Sequence, residues 1–220
     1  MAAELWTCHL GSVEYREASA LQERLRAARQ ADEIPDLLLV LEHPPVYTLG
    51  RRSGDADLPM GEAWYLSQGF DVVRTNRGGK LTYHGPGQLV GYAIMRTDDV
   101  LAFVRTMERA VIAALADEGP DFTGVWVGER KIASIGVHVA RGVTTHGFAV
   151  NVENDLQPFE WVVACGLPTV RMTSVTAEAG EPRGLDCFRR RAAYRFAEAH
   201  GRKQRLVSPA RLKRRVPSMA

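Results

Sequence analysis

Twelve residues near the middle of the chain, Arg77-Gly78-Gly79-Lys80-Leu81-Thr82-Tyr83-His84-Gly85-Pro86-Gly87-Gln88, include four glycines and a proline. That composition rules out a continuous helix and a central strand alike. Apolar segments flank the stretch on both sides, so the loop is expected inside the domain. Glycine lets backbone approach a ligand closely, while Arg77, Lys80, Tyr83, His84 and Gln88 supply polar groups at short spacing. The stretch reads as the wall of a binding site; the alternative is an ordinary Gly/Pro turn between two strands.

The 220 residues, 45% of them hydrophobic, suit one compact domain. Leu5 to Leu10 reads as an opening strand. Ser12 is placed to cap a helix whose buried face carries Val13, Tyr15, Ala18, Leu21, Leu25 and Ala28. Leu37 to Leu41, Phe70 to Thr75 and Leu89 to Met95 read as further strands. A second helix is expected after Thr97 or Asp98, with Leu101, Val104, Met107, Val111 and Leu115 facing the core. Trp126 to Val152 reads as a three-stranded meander with turns at Gly128-Glu129 and Arg141-Gly142. Ser174 to Pro182 is read as a loop, and Leu185 to Ala199 as a final amphipathic helix ended by Gly201.

No run of about 18 apolar residues occurs, and the N-terminus lacks a signal-peptide pattern, so a cytoplasmic location with no membrane contact is expected. Cys8, Cys165 and Cys187 are too widely spaced for a disulfide framework or a zinc site, and the histidines show no metal spacing. Residues 183 to 220 carry 12 Lys/Arg against 2 Asp/Glu, a balance of +10, although the whole chain is only +2. The expected organisation is therefore a domain over residues 1 to 201 and a basic tail over 202 to 220.

Three segments beyond the loop complete a pattern. Lys131-Ile-Ala-Ser-Ile-Gly-Val137, His146-Gly-Phe-Ala-Val-Asn-Val152 and the isolated Cys165-Gly166 follow it in order, and Glu42 to Gly50 precedes it. Together these resemble the lipoyl(octanoyl) transferases over about Leu10 to Val175. Ala93 and Ala164 depart from the family's prolines, a difference of backbone rigidity. The resemblance implies an α+β fold, with a mixed or antiparallel sheet and packed helices like that of the biotin and lipoate protein ligases. It also implies transfer of an octanoyl group from octanoyl-acyl carrier protein, through a cysteine thioester, to a lysine of a lipoyl domain. The acceptors implied are the lipoyl domains of 2-oxo acid dehydrogenases and the glycine cleavage H protein. No cofactor or metal is implied.

Carried over residue by residue, the resemblance assigns Cys165 as nucleophile and Lys131 as the cation and proton carrier beside it. Arg77, Gly78, Gly79, Lys80, Leu81, Thr82, Tyr83 and His84 are assigned to the acyl slot, as are Ser134, Ile135, Gly136, Gly147, Phe148 and Ala149. The chemistry is coherent. A nucleophile that takes the acyl group first splits one displacement into two, and a nearby cation favours the thiolate that must attack. Small residues such as Gly136, Gly147 and Ala149 leave room for a straight alkyl chain. Cys8 and Cys187 read as small core hydrophobes.

Two other functions compete. An ATP-dependent ligase on the same fold would activate a free acid as an adenylate and needs no nucleophilic cysteine. A non-enzymatic module could instead dock its basic C-terminus on nucleic acid, but the cluster lacks interleaved aromatics and a nucleic-acid fold.

Overall fold

The computed structural model describes residues 3–117, 125–167 and 169–215. In chain order the elements are β1 (Glu4–Ser12), α1 (Tyr15–Gln30), β2 (Asp36–Glu42), β3 (Val46–Leu49), α2 (Glu62–Ser67), β4 (Asp71–Arg74), β5 (Thr82–His84), β6 (Gln88–Ile94) and α3 (Val100–Ala116). They continue with β7 (Trp126–Val127), β8 (Arg130–Lys131), β9 (Ala133–Ala140), β10 (Val143–Asn151), β11 (Arg171–Met172), α4 (Val175–Ala179), α5 (Leu185–Ala199), β12 (Lys203–Leu206) and α6 (Pro209–Arg215).

A six-stranded sheet in the order β12-β1-β2-β6-β10-β9 forms the centre. β1 pairs in parallel with both β12 and β2, whereas β2, β6, β10 and β9 alternate in direction. The sheet is mixed and the fold is α+β. β2 lies between two layers, so its unbroken apolar run divides by alternation. Leu38 and Val40 pack with α3 and α5 on one face, while Leu37, Leu39 and Leu41 pack with α1 on the other. A smaller sheet, β4-β3-β5, builds a third core with Tyr47, Tyr65, Tyr83 and Phe159.

Several sequence expectations shift. Ser12 ends β1, and α1 begins after Glu14 with no side-chain cap. Asp99, rather than Thr97 or Asp98, caps α3 by accepting the Ala102 N–H at 2.9 Å. That start turns Phe103 inward and leaves Leu101 73% exposed. The expected meander splits at Ile132: β7 and β8 join β11 in a separate three-stranded sheet, while β9 and β10 complete the central one. Residues 175–179, read as loop, form α4 because Ser174 accepts the Ala177 N–H. Beyond Gly201, where a tail was expected, β12 pairs with β1 in the register Glu4↔Lys203 to Thr7↔Leu206, and Leu212 of α6 is fully buried. The outermost residues of that segment, 216–220, lie outside the described residues.

Candidate active site

Cys165 lies in a single turn, Ala164–Gly166, with the left-handed dihedrals φ 58° and ψ 11°. That region costs an L-residue about 1–2 kcal/mol and persists only when neighbours impose it. Three backbone bonds do so: Cys165 N–H donates to Leu81 O at 2.8 Å, Gly166 N–H to Val163 O at 3.2 Å and Leu167 N–H to Ala164 O at 3.0 Å. Gly166 follows at φ 70°, and a Cβ there would lie 2.2 Å from Lys80 Cδ. The glycine after the cysteine is thus where the Lys80 stem crosses, with its ammonium 3.8 Å from the buried Asp57 carboxylate.

Lys131 ends β8, where β7 and β11 flank it through Trp126 and Met172. Its ammonium donates to Cys165 Sγ at 3.2 Å and sits 5.5 Å from the Trp126 ring centroid. Ser134 Oγ is 3.8 Å from the same sulfur. Cys165 is half-buried, so water screens the pair only in part.

The glycine-rich loop is braced from within. Arg77 is only 8% exposed and spreads its guanidinium over Thr48 O (2.6 Å), Thr48 Oγ1 (2.8 Å), Lys80 O (2.7 Å) and Gly78 O (3.1 Å). Among the described residues no carboxylate pairs with it, and burial pulls its pKa down. Gly50 must be glycine for this packing, because a Cβ would lie 2.5 Å from Gly79 O and 2.8 Å from Arg77 Nη1.

Three histidines behind the loop are held neutral by burial. His43 falls to about 4 and His146 to about 3, while His84 lies well below its usual value. Their partners fix the tautomers. His43 Nδ1–H donates to Val13 O (2.6 Å) and its Nε2 accepts from the Tyr92 hydroxyl (2.7 Å). His84 Nδ1–H donates to Gln88 Oε1 (2.7 Å) and His146 Nε2–H to Asn76 Oδ1 (2.7 Å).

A cavity of about 260 Å³ opens beside Cys165 and Lys131 and runs between the central sheet and the loop. Of the residues assigned to the slot, Arg77, Gly78, Gly79, Lys80, Thr82, His84, Ser134, Ile135, Gly136, Gly147, Phe148 and Ala149 line it. Leu81 and Tyr83 do not. Strand alternation turns Tyr83 of β5 toward Tyr47 and Phe159, and Leu81 is fully buried in the same cluster. Gly147 is small for a reason other than room for a ligand, since a Cβ would meet Gly91 O at 2.1 Å. Tyr15, Val90, Tyr92 and His146 also line the cavity; none was assigned to it from the sequence, although His146 opens the His146 to Val152 motif. Strand register alone could have found Val90 and Tyr92, because Val90 faces Ala149 and Tyr92 faces Gly147 across β6 and β10. Of the other thiols, Cys8 is buried and pushed up to about 11, whereas Cys187, read as a core residue, is exposed beside Arg190.

A cysteine and a lysine in contact beside a narrow slot suit acyl transfer, and the relatives that this chain matches are acyltransferases. The chain belongs to the family described as lipoyl protein ligase A/B catalytic domain, whose profile matches residues 14–197. It is 49% identical over 178 residues to an octanoyltransferase of Solibacter usitatus (strain Ellin6076), covering 76% of this chain and 80% of the relative. To an octanoyltransferase of Caldicellulosiruptor saccharolyticus it is 40% identical over 217 residues, 93% of this chain and 92% of the relative. The fold matches a crystal structure of lipoate-protein ligase A bound with ATP, with TM-score 0.76 and 19% identity over 100% of this chain and 94% of that one. A biotin protein ligase from Aquifex aeolicus shares it more distantly, with TM-score 0.51 and 14% identity over 91% of this chain and 71% of that one.

Proposed function

We propose that the protein transfers an octanoyl group from octanoyl-acyl carrier protein to a lysine of a lipoyl domain in lipoate biosynthesis, with Cys165 carrying the acyl group between the two. The observation that carries this reading is the 3.2 Å contact between Lys131 Nζ and Cys165 Sγ at the mouth of the slot. In the first half-reaction the Cys165 thiolate attacks the thioester carbonyl. The tetrahedral intermediate collapses, a carbon–sulfur bond to Cys165 replaces that to the carrier, and the departing carrier thiolate takes a proton from Lys131. In the second, the acceptor amine attacks the new thioester, Lys131 accepts the proton the amine sheds, and Cys165 leaves as thiolate.

The oxyanion of each intermediate needs a donor. The N–H groups of Cys165, Gly166 and Gly78 are each committed to a carbonyl. Among the described residues the N–H groups of Gly79 and Lys80 have no protein acceptor, which favours them for the task. The acceptors in this reading are the lipoyl domains of 2-oxo acid dehydrogenases and the glycine cleavage H protein, and the setting is the cytoplasm.

Intact mass after mixing with octanoyl-acyl carrier protein, without ATP, tests the reading. A single octanoyl adduct is expected, absent in Cys165→Ala together with all transfer. An adduct on Cys8 or Cys187, or a strict requirement for ATP and free octanoate, would sink it; the second result is what a ligase on this fold would give.

A further inference from the structure

The cavity has two chemically different ends, and strand register orders them. At the Cys165 end stand Ser134 of β9 and Ala149 and Val90, which pair across β10 and β6. Three residues back along β10 is His146, about 10 Å away at about 3.3 Å per residue. Tyr92, facing Gly147, and Gly136 accompany it. On the opposite wall β5 advances in the same sense, from Thr82, next to the Leu81 carbonyl that anchors Cys165, to His84. Tyr15 stacks on His84 with ring centroids 6.2 Å apart, and Tyr92 meets His146 edge-on at 6.1 Å. Four side chains from four elements therefore converge at the end remote from the cysteine.

His146 shows that this end is built. Its φ of 60° is left-handed in the middle of a strand, and it is held there by Gln22 Oε1 on its N–H (2.6 Å) and Asn76 on its Nε2–H. With Nε2 as donor, Nδ1 is a bare acceptor, and among the described residues it has no partner although His146 is only 4% exposed. The Tyr15 hydroxyl keeps its proton, since burial pushes its pKa up to about 12.

We propose that Tyr15, His84, Tyr92 and His146 form a polar end wall that sets the length of the acyl chain, eight carbons being the longest that stops short of it. An extended octanoyl group has seven C–C bonds of about 1.5 Å, a zigzag of roughly 9 Å, which matches the path from Ala149 to His146. Two more methylenes would press apolar carbon onto buried acceptors and donors that hydrocarbon cannot satisfy. A hydroxyl at the chain's far end, by contrast, can donate to His146 Nδ1.

This inference rests on the covalent reading of Cys165, and the experiment separates the two. Rate constants for adduct formation are measured by intact mass with hexanoyl, octanoyl, decanoyl, dodecanoyl and 8-hydroxyoctanoyl carrier protein. Each methylene up to eight carbons should raise kcat/KM about fourfold, the ordinary gain for a buried methylene. The decanoyl donor should fall at least tenfold below octanoyl, and the 8-hydroxy donor should stay within about threefold of it. Tyr15→Phe removes one oxygen and should narrow the octanoyl-to-decanoyl ratio at least threefold; Tyr15→Ala should make decanoyl the better donor. A profile that keeps rising through twelve carbons, or a ratio unmoved in folded Tyr15→Phe, overturns the end wall alone. No adduct at any length overturns the covalent reading and the end wall with it.

Discussion

At the slot, cation meets sulfur at 3.2 Å and a guanidinium only 8% exposed is stabilised by neutral oxygens alone. At the opposite edge of the same sheet, β12 and α6 carry Lys203, Arg205, Lys213, Arg214 and Arg215 outward. There Arg205 meets Glu4 at 3.1 Å with both side chains nearly half exposed. The slot has few charges, in a medium of low effective dielectric where each acts strongly. The edge has many, in water, where a pair at 4 Å interacts about fourfold more weakly than at an effective dielectric near 20. Charge count is thus a poor guide to where electrostatics does chemistry. The +10 segment drew attention in the sequence, yet the proposed chemistry gathers around one lysine.

The largest effect that separates the two regions is acid unfolding. His43, His84 and His146 have folded pKa values below the unfolded value near 6.5, so the unfolded chain binds more protons as pH falls. The stability they contribute is complete above pH 6.5 and drains as pH drops toward about 4 for His43 and about 3 for His146. At about 1.4 kcal/mol per pH unit, His43 alone removes on the order of 3 kcal/mol between pH 6.5 and 4. Urea midpoints across that range should fall steeply, and a flat profile would mean that these rings are protonated in the folded state. Glu4 at the outer edge is also held low, by Arg205, but water reaches the pair and it should leave little trace.

Next is Lys131→Ala, expected to lower transfer by about 10²- to 10⁴-fold, the range for loss of a positioned acid–base group. Alkylation of Cys165 by iodoacetamide should slow as well, because the ammonium that donates to its sulfur is gone. Lys131→Arg sharpens the point: it should restore alkylation but not transfer, because a guanidinium cannot accept the proton. Equal recovery of both activities would remove Lys131 from proton transfer.

Leu212→Ala tests whether the basic segment is structural. Leu212 is fully buried beside β1 residues, so the substitution should cost about 2–5 kcal/mol in chemical denaturation. A cost below about 0.5 kcal/mol would restore the idea of a detachable tail.

The smallest effect expected is from reversing charge at the edge. Lys203→Glu with Arg214→Glu should change stability by less than about 0.5 kcal/mol. If the basic face steers an acidic carrier, KM for the donor should rise a few-fold at low salt, with kcat constant and the difference gone by 0.5 M salt. An unchanged KM at low salt would end that role. Truncation after Gly201 is unsuitable for this question, since it would remove the strand that covers β1.

Much of this was legible before any coordinates. Glycine density marked the loop, and Cys165-Gly166 and Lys131 stood out through the resemblance, because irregular backbone and reactive side chains leave local signatures. Tyr15 showed only as a core position of the first helix and His146 only as the opening residue of a motif, and nothing local marked either as a slot residue. They reach the slot through α1 and through one left-handed residue in β10, and both depend on packing between segments more than 100 residues apart. Tyr83 fails in the other direction: it sits inside the motif, but period-two alternation in β5 turns it away. Ile132 likewise gives no sign that its neighbours divide between two sheets, since a hairpin and a meander share one pattern of apolar residues.

The pairing of β1 with β12 has a consequence for synthesis on the ribosome. β1 emerges first and its outer neighbour about 200 residues later, so at roughly 5–20 residues per second the edge stays open for some 10 to 40 seconds. Meanwhile β1 can dock on β2 and α1, but its free side offers unpaired amides to any passing strand. The late basic strand thus acts as a closing seam, and its cationic residues would repel another copy of itself. Polysomes stalled short of codon 203 should therefore yield nascent chains that are more prone to aggregate than the full-length product.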